Sequence, residues 1–80
     1  MRNLGEIMHP ECKISLFSFN QKFIVKFEQG LIEQTLKFEH LEFDRGEAEL
    51  RERLNEPFIS SVVQKFTELQ ALREAFFEQT

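Results

Sequence analysis

Tryptophan and tyrosine are absent from this chain of 80 residues, which has one cysteine, two prolines and three glycines. The lone Cys12 excludes an intramolecular disulfide. With no leader-like segment, that usage points to a reducing, cytoplasmic setting. The scarcity of Pro and Gly excludes collagen-like and low-complexity chains. Arg2 is followed by no apolar run, which argues against a secretory signal. No stretch approaches the roughly 20 apolar residues of a membrane-spanning helix. Basic charge is not in excess either: ten Lys+Arg stand against fourteen Asp+Glu, for a net charge of -4. Such a chain does not attract polyanions through its overall field, so duplex nucleic acid is disfavoured.

What remains is globular: 41% apolar and 30% charged residues. A chain of this size makes one small domain and buries about 60–65% of its unfolded surface. That is too little for a deep active site built from many loops. All ten aromatic residues are Phe. Protein interfaces tend to enrich Tyr and Trp, so an all-Phe set reads first as core filling. Residues 1–43 carry five basic and six acidic groups, and residues 44–80 five and eight. Any anion-tolerant surface therefore belongs to the first half.

Residues 1–12 show no periodicity, and Gly5 and Pro10 interrupt them further. They read as an extended or loose arm ahead of a single domain at 13–80. Residues 13–43 read as three strands. Asn20-Gln21 and Gln29-Gly30 are the turns, with Asn and Gly suited to positive φ. The first turn sets Phe19 opposite Lys22, Phe17 opposite Ile24 and Leu16 opposite Val25. The second sets Phe27 opposite Ile32, Val25 opposite Gln34 and Phe23 opposite Leu36, with Lys26 facing Glu33. One face then gathers Ile14, Leu16, Phe23, Val25, Phe27, Ile32, Leu36 and Phe38, with Gln34 its one clear polar member. A one-residue slip would scatter that set over both faces. The opposite face is mostly polar, as one wet side of an antiparallel sheet should be. It nonetheless holds Phe17, Phe19 and Ile24 among its lysines.

Residues 44–80 read as helical. Asp44 followed by Glu47 fits a capping pair for a short helix at about 45–54. Asn55, Glu56 and Pro57 end it and start the next. From Pro57 to about Glu78 the apolar residues recur at three and four, marking one face of an amphipathic helix. Twenty-two residues run about 33 Å, whereas a strand of seven or eight spans only about 25 Å. The helix should therefore overhang its sheet, and Leu72, Phe76 and Phe77 become a candidate dimer contact.

The chemistry on offer is sparse. His9 and Cys12 sit three apart, as a thiol–imidazole pair or half a zinc knuckle would. No orienting group or second ligand pair accompanies them, and His40 is the only other nitrogen ligand. A buried thiol and solvent-exposed imidazoles are the better reading, with no catalytic residue, metal or cofactor expected. The helix lacks the basic face of a membrane-surface helix. The Phe17/Phe19/Ile24 patch with Lys22 and Lys26 is the leading candidate contact surface. It suits a protein contact or self-coverage by the first helix. Less well, it suits a stacking platform for single-stranded nucleic acid, because Glu28, Glu33 and Glu39 nearly cancel its lysines.

The stretch His9-Pro10-Glu11-Cys12-Lys13-Ile14-Ser15-Leu16-Phe17-Ser18, with Lys26-Phe27-Glu28-Gln29-Gly30 and Glu33-Gln34-Thr35, resembles a family of short bacterial proteins without assigned function. The resemblance covers about residues 8–70. It implies a bacterial cytoplasmic protein starting at Met8, and no catalytic motif carries over with it. The expected architecture is α+β (β-β-β-α-α): a three-stranded antiparallel meander, a short helix, and a long C-terminal helix on one sheet face. The expected role is a small, non-enzymatic interaction module that forms a homodimer or binds another protein.

Overall fold

The computed structural model describes residues 1–79, so the last residue of the expected 13–80 domain lies outside it. Four strands form one antiparallel sheet in the order β1-β2-β3-β4. They are β1 (Arg2–Ile7), β2 (Lys13–Phe19), β3 (Lys22–Gln29) and β4 (Ile32–Glu39). A 3₁₀ turn at His40–Glu42 leads to α1 (Glu47–Arg53) and α2 (Glu56–Phe77). The fold is α+β, with one strand more than the three expected.

The extra strand is the N-terminal arm. Leu4 is bulged between Asn3, opposite Phe17, and Gly5, opposite Leu16. A bulge inserts one residue and breaks the alternation of the strand. That is why no period of two shows in residues 2–7. Gly5 takes φ +106°, a conformation that residues with a Cβ rarely adopt. Its amide N–H donates to Asn3 Oδ1 at 2.7 Å. Arg51 of α1 locks the bulge from below, donating through Nη2 to the Leu4 carbonyl at 2.6 Å.

The β2–β3 register is as expected: Phe19 opposite Lys22, Phe17 opposite Ile24 and Leu16 opposite Val25. Asn20 and Gln21 both have positive φ, the pattern of a type I′ hairpin turn. The second hairpin turns at Gly30-Leu31, not Gln29-Gly30. Gly30 supplies positive φ at the first central position, as a type II′ turn requires. Phe27 therefore faces Gln34, Val25 faces Leu36 and Phe23 faces Phe38, while Lys26 faces Thr35. Each partner moves by two residues, so every side chain keeps its expected face. Lys26 still reaches Glu33, now diagonally, at 4.0 Å.

Both helices pack on the apolar face. Ile14, Leu16, Phe23, Val25 and Phe27 form one buried cluster with Leu50 and Leu54 of α1 and Ile59, Val62 and Phe66 of α2. The capping pair expected at Asp44 does not form. Gly46 takes the N-cap position of α1, and Glu49 accepts the Arg45 N–H at 3.2 Å. Asn55 caps α2, accepting from the Phe58 N–H at 3.1 Å. The contacts of α2 trace its path across the sheet. Glu56 meets His9 in the β1–β2 connection, Phe58 lies 6.3 Å from the Phe27 ring on β3, and the Val62 carbonyl accepts from Gln34 Nε2 on β4. That last bond explains the polar residue on the apolar face.

A structural β1 makes a specific demand. Leu4→Ala and Gly5→Ala should each lower stability by about 1–3 kcal/mol in urea unfolding followed by far-ultraviolet circular dichroism. A loose arm would tolerate both within about 0.5 kcal/mol.

Candidate functional site

Two surfaces and one buried cluster hold the residues singled out from the sequence, His40 excepted. The first surface is the sheet face opposite the helices. Phe17 and Ile24 are direct cross-strand partners there, and Phe19 pairs with Lys22 at the turn end. Phe17 and Ile24 are half-buried and Phe19 is 54% exposed. Lys26 Nζ stands 5.8 Å from the Phe17 ring centroid. Because α1 joins the core on the other face, self-coverage by the first helix does not occur. The lysines are partly neutralised: Lys13 lies 3.4 Å from Glu6 and Lys26 lies 4.0 Å from Glu33.

The second surface is the distal part of α2 and the cleft beside its start. Beyond Leu69 every described residue is exposed, with Leu72, Phe76 and Phe77 each about two-thirds exposed. The 22-residue helix runs about 33 Å, while four strands at about 4.8 Å spacing make a sheet only about 19 Å wide. Crossing the strands, the helix runs off the β4 edge, and the molecule is 49 Å in its longest dimension. The Phe76 and Phe77 rings pack edge to face at 5.3 Å, and the Arg73 guanidinium covers Phe77 at 5.4 Å. Near the other end of α2, Phe38, Phe43, Leu50, Leu54 and Phe58 line an apolar cleft of about 340 Å³, with Arg53 and Asn55 also on its wall. Leu36, on the same sheet face as Phe38, remains 39% exposed.

The buried cluster joins the β1–β2 connection to α2. The His9 side chain is only 8% exposed, in contrast to the expected surface imidazole. Its Nδ1 accepts the Glu11 N–H at 3.1 Å, and its Nε2 faces the Glu56 carboxylate at 3.2 Å. The imidazole is thus a staple between a loop and a helix N-terminus. Cys12 is buried, and its thiol pKa is raised by burial and then by the nearby Glu11 and Glu56 carboxylates. All three causes disfavour the thiolate that nucleophilic chemistry needs. His40 sits at the opposite end of the sheet, half-buried, with Nε2 3.0 Å from Ser18 Oγ and its ring 4.2 Å from Phe23. Among the described residues, no three His, Cys, Asp or Glu side chains converge as a metal site requires. Just ahead of α1, the Arg45 guanidinium bonds Glu52 and holds that carboxyl below its usual range.

The cleft beside Phe58 went unread in the sequence, because its walls come from four separate elements. Among the described residues, no helix is long and apolar enough to cross a membrane. No protein-family model, curated protein or solved structure matches the chain, so its function has to be read from geometry.

Cys12 should react with iodoacetamide on the order of tenfold or more slowly in the native protein than in urea. A raised folded-state pKa gives stability that is full below the unfolded value, about 8.5, and is lost as pH rises above it. The stability advantage of wild type over Cys12→Ala should therefore shrink between pH 7 and pH 10. Equal alkylation rates in both states would contradict the burial argument.

Proposed function

We propose that the chain is a small, non-enzymatic interaction module that associates with a second copy of itself. One observation carries this reading: the last two turns of α2 extend past the sheet with Leu72, Phe76 and Phe77 exposed. An isolated helical end is marginal in water, and tertiary packing of an apolar face normally supplies its stability. Contiguous apolar surface of this kind marks an interaction site. Free edges on β1 and β4 add a second, weaker route to association.

The Phe17/Phe19/Ile24 face supports a different reading, a platform for single-stranded nucleic acid, because it is open and carries Lys22 and Lys26. Its balance of charge counts against that use. Affinity for a polyanion would fall with added salt and with Lys22→Glu or Lys26→Glu.

Light scattering behind size exclusion tests the main reading. Concentration is read by refractive index, since the chain has neither Trp nor Tyr. The expected mass is twice 9.6 kDa. Phe76→Glu should weaken association by about a hundredfold, the scale of losing an interface hot spot, and Phe17→Ser should leave it unchanged. A monomer at every concentration would overturn the proposal. A dimer dissolved by Phe17→Ser and untouched by Phe76→Glu would move the contact to the sheet.

A further inference from the structure

Phe58, Val62, Lys65, Leu69, Leu72 and Phe76 follow one another at spacings of four, three, four, three and four. That is the seam of a helix built to pair with another helix. It lies beside the row, Ile59 and Phe66, that fixes α2 to the sheet. Half of the seam is used within the chain. Val62 is buried and Phe58 borders the cleft, whereas Leu72 and Phe76 are about two-thirds exposed. We infer that a second copy's α2 lies antiparallel along this seam, with its Phe76 in the cleft lined by Phe38, Phe43, Leu54 and Phe58. This rests on the self-association proposed above and gives it a geometry.

Charge selects the antiparallel arrangement. A parallel pair would set Lys65 against Lys65 and bring together two helix C-termini. The last turn of α2 has no basic residue to offset the negative end of its dipole. An antiparallel pair with its two-fold axis at Thr67 sets Phe58 against Phe76 of the second copy, Val62 against Leu72 and Lys65 against Leu69. Lys65 already pairs with Glu68 of its own helix at 3.2 Å. Around the axis, the two lysines and two glutamates then alternate, and each ammonium has a carboxylate on either side. The negative end of α2, with Glu78, arrives where Arg53 stands on the cleft wall. The Arg53 side chain is 71% exposed and its Nε bonds Glu49 at 3.0 Å, which leaves the rest of its guanidinium for an incoming carboxylate. The same placement lays the second helix beside Leu36, the part of the apolar sheet face that α2 leaves bare.

Distances between spin labels separate the arrangements. In a Cys12→Ser background, single cysteines at Thr67→Cys or Glu78→Cys carry nitroxides for pulsed dipolar spectroscopy. The antiparallel pair predicts about 20–25 Å between labels at 67 and about 33 Å or more between labels at 78. Short distances at both positions in a dimer would mean a parallel pair and overturn this inference while leaving self-association standing. No dipolar coupling together with a monomeric mass would overturn both. Arg53→Glu, at an exposed position that the core does not need, should weaken the dimer by about tenfold. An unchanged dimer would remove the cleft from the interface.

Discussion

One length mismatch governs this molecule. A single helix, α2, supplies Ile59, Val62 and Phe66 to a core whose other wall is a four-stranded sheet. It crosses the strands rather than following them, so a narrow sheet has to cover a long rod. Its start is held by the Asn55 cap and by His9 against Glu56. Its middle is held by Phe66 and by the bond from Gln34 to the Val62 carbonyl. Its last two turns stay exposed. The short α1 closes the remaining side of the core with Leu50 and Leu54, and Arg51 ties it to the bulge in β1.

The sheet was readable where alternation and turn chemistry agreed. Asn20-Gln21 set the β2–β3 register because both residues had to take positive φ. At the second hairpin, Gly30 belongs to the first central position, and placing it second shifted every partner by two. The faces are the same in both registers because side chains alternate with a period of two. Residues 2–7 were unreadable for a physical reason: the bulge at Leu4 removes the alternation by which a strand is recognised. At α1 the Asp44–Glu47 pair does not form, because the chain enters the helix through Gly46 and Glu49, three residues further on, reaches back to accept the Arg45 N–H.

The candidate site was legible in part. Overhang of the helix followed from its length alone, and Leu72, Phe76 and Phe77 emerged as its bare end. The cleft did not, since Phe38, Phe43, Leu54 and Phe58 sit on β4, the turn after it, the end of α1 and α2, and face one another only through the fold. His9 illustrates the reverse case. It stands beside Pro10 in a connection, which suggests solvent, yet Glu56 from 47 positions away pulls it inward. The same carboxylate also acts on Cys12, which turns a suggestive His–Cys spacing into a structural joint.

We propose that the distal turns of α2 depend on a second copy for their cover. Hydrogen exchange read segment by segment at two protein concentrations tests it directly. Amides of residues 70–77 should exchange almost freely in dilute protein and gain at least about tenfold protection when concentrated, while β2 and β3 stay equally protected throughout. Protection of residues 70–77 that is the same at both concentrations, in protein shown to be monomeric at the lower one, would contradict that dependence.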